Sequence, residues 1–288
     1  MPELPEVETI RRDLDKEVTG KRIKSVEVLG KRSIRRHGDA NAFVSRLEGR
    51  KVVAVDRKGK YLVLRLDAAG GARSGEPADV LVVHLGMSGQ LLRPKSAKEP
   101  VGKHTHVVIT FTQAGQLRFI DPRTFGEMFV TTPDHLLEAV PELAHLGFDP
   151  LSEVMSWTHF AELLYSRRTK LKALLMDQKF LAGIGNIYSD EILFAAGLRH
   201  DRSSELLSTQ EIRRLYRAMV ETLQDAIKHR GSSLSDEQYR DIFGEVGGYQ
   251  SEHKVYDREG EPCPRCRHPI ERIKWQNRST FFCPQCQT

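Results

Sequence analysis

The sequence predicts an α+β protein of two domains, with a β-sandwich behind one N-terminal helix and a helical domain that ends in a metal-pinned β-hairpin. Three observations carry this. Between about residues 20 and 130, short β-like runs alternate with turn signals. From 156 to 230 apolar residues recur at helical spacing. All four cysteines fall within the last 26 of 288 residues, and a chain of that length is long for a single core.

Each element has a local reason. Leu4, Val7, Ile10 and Leu14 recur at helical spacing within residues 2–15, and Glu3, Glu6 and Glu8 sit where the positive end of a helix dipole favours acids. The runs IKSVEVL (23–29), RKVVAVDRK (50–58), KYLVLRLD (60–67), DVLVVHL (79–85), THVVITFT (105–112), QLRFID (116–121) and GEMFVTT (126–132) read as strands. AAGGARSGEPAD (68–79) and QAGQ (113–116) are turns between them. Helices are expected over Ser156–Ser166, Lys170–Met176, Ile187–Ala196 and Thr209–Arg230, whereas 231–256 is polar, Gly-rich and without a clear element. The expected division is a catalytic β domain over 2–132, a Pro- and Gly-punctuated linker over 133–150, a helical domain over 151–256 and a hairpin over 257–288.

Composition narrows the function. The chain is 39% hydrophobic and 29% charged, with a formal net charge of +5 that suits a polyanionic partner. No run reaches the roughly 18–20 apolar residues of a membrane helix, which excludes an integral membrane protein of that kind. The acidic start MPELPEVE argues against a secretory signal, so a cytoplasmic protein is expected. Cys263, Cys266, Cys283 and Cys286 are spaced C-x2-C, 16 residues, C-x2-C. That is the four-thiolate zinc pattern, and pairs two residues apart are poor disulfide partners. Strands over Ile270–Ile273 and Ser279–Phe282 would make the module a hairpin around one structural Zn2+. Four thiolates leave no open position for a catalytic water.

Several residues could carry chemistry. Removal of Met1 would expose the secondary amine of Pro2, and an α-amino group titrates near 7.7–8.0, roughly 2.5 pH units below lysine. A neutral amine can attack an electrophilic carbon to form a Schiff base, although a proline is also welcome near a helix start. Glu3 and Glu6 could shuttle protons or orient that amine, or simply favour the helix N-terminus. Lys60 follows a glycine at a strand entry and offers a phosphate contact or a proton donor, or a solvated charge. HLGMSGQ and DPRTFG place Met87, Arg123 and Phe125 on turns, where an apolar wedge and an arginine can enter a duplex and replace an extruded base; core packing is the alternative for Met87 and Phe125. Gly183-Ile184-Gly185-Asn186 opens a helix in the manner of a phosphate-holding loop, and Lys172 and Arg278 are basic residues that could reach the same backbone. The loop lacks the strand and spacing of a dinucleotide fingerprint.

Together MPELPEVET, RKGKYL, HLGMSG, DPRTFG, MDQKFLAGIGNIYSDEILFAAG and GEPCPRCRHPI…NRSTFFCPQCQ resemble the bacterial formamidopyrimidine-DNA glycosylases, in order and from residue 2 to 287. The resemblance implies a β-sandwich, a helix–two-turn–helix DNA-binding domain and a zinc-finger hairpin with four cysteine ligands. It implies a monomeric base-excision enzyme that acts on double-stranded DNA with oxidised bases, removes 8-oxoguanine and formamidopyrimidines, and then nicks the strand by β,δ-elimination. By resemblance Pro2 is the nucleophile, Glu3 the proton donor at the sugar ring oxygen, Lys60 the proton donor for β-elimination, and Arg278 that for δ-elimination. Met87, Arg123 and Phe125 match the void-filling triad, and His104, Arg123, Lys172, Asn186 and Arg278 match DNA contacts. Two departures stand out: 231–256 follows the family pattern loosely, and Asp257 stands where a glycine is often found. An endonuclease VIII-type enzyme for oxidised pyrimidines and a non-catalytic lesion-binding protein are the rival readings. A zinc-ribbon RNA factor would leave the N-terminus unexplained.

Overall fold

The computed structural model describes residues 1–68, 79–112, 115–152, 155–235 and 238–288; the turns expected at 68–79 and 113–116 lie partly outside the described residues. The chain forms two compact units, Met1–Ala144 with Arg230–Gly248, and His145–His229 with Tyr249–Thr288.

The first unit opens with helix α1 (Leu4–Val18), followed by β1 (Ile23–Val28), a 3-10 turn at Lys31–Ile34, α2 (Ala40–Val44), β2 (Val52–Lys58), β3 (Tyr61–Leu66), β4 (Val80–His84), β5 (Gln90–Leu92), β6 (Thr105–Phe111), β7 (Gln116–Ile120) and β8 (Glu127–Thr131). The strands form two antiparallel four-stranded sheets, ordered β1-β6-β7-β5 and β2-β3-β4-β8. One core joins them: Val26, Val107, Ile109 and Phe119 from the first sheet, Val55, Leu62, Leu64 and Val83 from the second, and Val7, Ile10 and Leu14 from α1. The expected helix and the seven strand-like runs are all present. The three-residue β5 was missed because it is too short to show a period.

Two boundaries differ from expectation. Residues 133–144 are not a bare linker but fold as α3 (Leu136–Ala139) and α4 (Pro141–Ala144), burying Leu136, Val140 and Leu143. Residues 230–248, expected with the helices, belong to the first unit. Arg230 pairs with Asp13 of α1 and with Asp241, while Tyr239 and Ile242 enter the β core.

The second unit contains α5 (Trp157–Tyr165), α6 (Leu171–Met176), α7 (Asn186–Ala196), α8 (Thr209–Lys228), β9 (Glu271–Trp275) and β10 (Arg278–Phe282). A capping box starts α8: Ser208 Oγ accepts the Glu211 amide at 3.3 Å, and the Glu211 carboxylate accepts the Ser208 amide at 2.8 Å. The strands β9 and β10 pair Trp275 with Arg278 around a two-residue turn, Gln276-Asn277, whose φ values of +46° and +61° give the twist a tight hairpin needs. Asp257 has φ +59°, so it adopts the left-handed turn a glycine would serve, a conformation Asp tolerates better than most residues. The hairpin shares its core with α7: Phe194, Val255, Ile270 and Phe281 pack beside Cys263 and Cys283.

His253 lies between Tyr249 and Tyr256, with ring centroids 5.6 Å from each, and its burial pushes its pKa down to about 4. The unfolded chain binds a proton near 6.5, so the stability this neutral imidazole contributes is complete above that pH and is lost as pH falls towards 4. Urea titration is expected to give a stability about 2 kcal/mol lower at pH 5 than at pH 8 from this group, and His253→Gln should reduce the difference by that amount. An unchanged pH dependence in the variant would exclude His253 as the source.

Candidate active site

The N-terminus is organised by one carboxylate. Glu3 caps α1 in an extended conformation, and its amide donates to Glu6 Oε2 at 2.8 Å. The other Glu6 oxygen accepts the Ser232 amide at 2.8 Å. Gly231, with φ +78°, approaches so closely that a Cβ there would lie 2.7 Å from Glu6 Oε1. Glu6 is thus buried with both oxygens engaged by backbone, an arrangement that suits the amine-orienting role among those expected of it and ties the chain start to Gly231 and Ser232. Pro2 is buried beneath a half-exposed Met1, and Glu3 is buried beside it.

Lys60 is brought towards the same helix by a pair the sequence reading missed. Arg57 donates to Glu8 Oε2 at 3.0 Å and to the Gly59 carbonyl at 3.1 Å, so the β2–β3 turn carrying half-buried Lys60 is tied to α1. Burial alone would raise the Glu8 pKa, but Arg11, Arg12 and Arg57 together hold its carboxyl below the usual value. The available signal was an acid placed next to Val7 in the apolar stripe of α1.

The two turns expected to enter DNA share one anchor. Asp121 has no exposed surface; its carboxylate accepts the Ser88 hydroxyl at 2.6 Å, the Gly126 amide at 2.7 Å and the Arg123 amide at 3.2 Å. Its own amide donates to the His104 carbonyl at 2.9 Å. Met87 (40% exposed) and Phe125 (46% exposed) therefore project from turns held by one buried acid, and core packing is excluded for both. The Arg123 guanidinium lies over the Phe125 ring at 4.9 Å, and the side chains of Arg123 and His104 are exposed. Arg35 supports the turn from behind, donating to the Gly126 carbonyl at 2.9 Å.

In the second unit Gln178 shapes the glycine loop, accepting the Gly183 amide and donating to the Ile184 carbonyl, each at 2.8 Å. Asn186, the first residue of α7, donates to the Ser279 carbonyl at 3.0 Å, which joins this loop to the hairpin strand bearing exposed Arg278. Lys172 departs from expectation. Its side chain is fully buried, 2.6 Å from Asp190, and it also donates to the Ser279 carbonyl at 3.4 Å. Lys172 therefore stands behind the loop rather than on its surface, where it braces the Asn186–hairpin junction. Burial pushes the Asp190 carboxyl up to about 7 against the pull of that ammonium, and its second oxygen accepts the Phe281 amide at 3.0 Å. Glu191 similarly accepts the amides of Lys254, Val255 and Tyr256 at 2.8–2.9 Å.

The four cysteine sulfurs lie within 4.8 Å of one another, with Cys263–Cys286 at 3.8 Å and Cys266–Cys283 at 3.5 Å, and all four are free of disulfides. Tetrahedral zinc with bonds near 2.3 Å needs sulfurs about 3.8 Å apart, so the set fits. Burial opposes ionisation of Cys263, yet the Cys266 and Arg265 amides bring its pKa down to about 7. Burial and the neighbouring sulfurs push Cys286 up to about 12. Ionising all four together at this spacing requires a bound cation.

Family models agree with this geometry. The N-terminal domain of formamidopyrimidine-DNA glycosylase matches residues 1–128, its H2TH domain matches 146–238, and the zinc finger found in FPG and IleRS matches 260–288. The formamidopyrimidine-DNA glycosylase of Heliobacterium modesticaldum is 43% identical over 290 residues, covering all of both chains. The chain belongs to the formamidopyrimidine-DNA glycosylase family. The Geobacillus kaustophilus glycosylase is 42% identical, again over the whole of both chains. Among solved structures, the MutM (Fpg) protein of Thermus thermophilus matches with a TM-score of 0.83 at 42% identity, over 99% of this chain and 98% of that one. Lactococcus lactis Fpg in complex with DNA containing an abasic site matches with a TM-score of 0.85 at 34% identity, over 99% of each chain. Among the described residues of this glycosylase, no helix is long and apolar enough to cross a membrane.

Proposed function

We propose that this glycosylase excises oxidised purines, 8-oxoguanine and formamidopyrimidines, from duplex DNA and then nicks the strand at the vacated sugar. The observation that carries the reading is the buried start of α1, where Pro2 precedes a Glu3 amide held by Glu6, which also accepts the Ser232 amide. Met1 must be removed, because in its presence the Pro2 nitrogen is an amide without a nucleophilic lone pair. The freed amine attacks the sugar C1′, the C1′–N bond to the base breaks, and Glu3 supplies a proton to the ring oxygen as the ring opens to the iminium. Lys60 and then Arg278 serve the two elimination steps. These break first the 3′ and then the 5′ carbon–oxygen bond and leave phosphates on both ends.

The target carbon is inaccessible inside a stacked duplex, so the nucleotide must be extruded. Exposed Met87 and Phe125 fill the gap, and Arg123 reads the orphaned cytosine. His104, Asn186 and Arg278 contact the backbone, with Lys172 holding Asn186 and the hairpin in place. The four cysteines hold the zinc, which supplies folding free energy and no chemical step. The protein acts as a monomer in the cytoplasm, placed on the nucleoid by its DNA affinity.

Borohydride trapping on a duplex with 8-oxoguanine opposite cytosine, followed by mass mapping, tests the reading. The expected result is a covalent adduct on residue 2. An adduct formed only with oxidised-pyrimidine DNA would move the enzyme to endonuclease VIII-type chemistry. No adduct with either duplex, alongside tight zinc-dependent binding, would leave a non-catalytic lesion binder.

A further inference from the structure

The exposed face of α8 carries a feature distinct from the residues assigned to DNA repair above. A groove of about 500 Å³ runs between this helix and the start of α5, with Trp157, Tyr216 and Val220 as its apolar floor and Arg213, Arg214 and Arg217 at its rim. The Arg213 guanidinium lies over the Trp157 ring at 4.0 Å. Tyr216 is held in place by its hydroxyl, which donates to the Met155 carbonyl. Trp157 is the first residue of α5, so the groove opens at the positive end of that nine-residue helix. Among the described residues Glu221 is the one acid in the lining, and its contact with Arg217 is 3.7 Å and exposed, so it neutralises little.

We propose that this groove docks an acidic segment of a partner protein, one that places an apolar side chain on the floor with carboxylates to either side. Charge complementarity carries the choice: three arginines and a helix N-terminus converge on an apolar floor. Tryptophan, tyrosine and arginine are the side chains that concentrate binding energy at interfaces. A nucleic acid fits less well. Single strands bind by stacking successive bases along a row of aromatic faces, whereas the described lining pairs Trp157 and Tyr216 with an aliphatic Val220 and offers no such row. A duplex offers phosphates but no side chain for the floor. Arg214 donates to the Ala196 carbonyl at 3.2 Å, at the last residue of α7. Asn186 begins that helix ten residues away, about 15 Å along its axis, so the groove and the glycine loop can be occupied together.

The test uses the zinc-loaded full chain and a fluorescein-labelled Asp-Asp-Phe-Asp-Asp peptide, followed by anisotropy. Saturable binding is expected, and it should weaken at least about tenfold for a Lys-Lys-Phe-Lys-Lys peptide and for the double variant Arg213→Glu, Arg217→Glu. The variant should keep its melting temperature and its rate of 8-oxoguanine excision. Absence of saturable binding, or equal binding by the double variant, would overturn the proposal. An oligo-dT strand that displaces the peptide and loses affinity to the same extent in the variant would assign the groove to nucleic acid instead. Self-association of the wild type that the variant abolishes, without peptide binding, would assign it to a second copy of the chain.

Discussion

Pro2→Gly is expected to lower base excision at least about thousandfold while leaving duplex affinity within about threefold, a split that separates chemistry from binding. Glycine still presents an α-amine once Met1 is removed, so the loss has a specific origin. A secondary amine that adds to C1′ yields an iminium with no N–H to shed. The intermediate is therefore permanently cationic and a strong electron sink for elimination. A primary amine gives an imine that must be protonated before it can draw electrons. Glycine also releases the fixed φ of the pyrrolidine, so the lone pair is no longer aimed by the ring. In the proposed mechanism the buried Pro2 acts on the sugar carbon and makes no phosphate contact, so affinity is spared. Single-turnover excision and fluorescence anisotropy on the same lesion duplex read the two quantities. Excision at the wild-type rate would remove Pro2 from the mechanism.

Cys266→Ala should release the zinc and reduce duplex affinity at least about hundredfold. Structural zinc contributes about 10–16 kcal/mol in small modules, comparable to the stability of a whole domain. The hairpin's own apolar core among the described residues is small, Phe194, Val255, Ile270 and Phe281 with the cysteines themselves. Loss of the metal therefore frees β10, and the Ser279 carbonyl leaves the side chains of Asn186 and Lys172. The buried Lys172–Asp190 pair then loses two hydrogen bonds to the hairpin, at Ser279 and Phe281, so the disturbance reaches the glycine loop. Metal content by atomic absorption and affinity by anisotropy decide the matter; tight binding by the metal-free variant would refute the structural role.

Sequence patterns foretold the elements well and their supports poorly. The spacing of Leu4, Val7, Ile10 and Leu14, the seven strand-like runs and the C-x2-C pairs each encode a local geometry, and local geometry is what periodicity reports. Asp121, Arg57 with Glu8, and Gln178 were not legible as organisers, because their partners are backbone atoms or side chains brought near only by the fold. Lys172 illustrates the same limit from the other side. A lysine on a short helix reads as a solvated charge, and only the tertiary placement of Asp190 allows it to be buried. The boundary at 230 was hidden for a related reason: Gly-rich polar residues carry no period, so their attachment to the first unit depends on Asp13, more than two hundred residues upstream.

That attachment also bears on the order of events during synthesis. The carboxylate that fixes the chain start takes one of its hydrogen bonds from Ser232, 226 residues later in the chain. A ribosome making this protein from its N-terminus emits Pro2, Glu3 and Glu6 first and the Ser232 partner of Glu6 more than two hundred residues later. The intervening helices of the second unit are complete before the first unit can close. Such a long-range contact forms slowly, because the chain entropy of a large loop must be overcome. A nascent chain stalled before residue 230 would keep the local Glu3–Glu6 contact but leave the second Glu6 oxygen without Ser232. The hydrogen bond that closes the setting of the chain start is thus timed to late synthesis by the order of the chain itself.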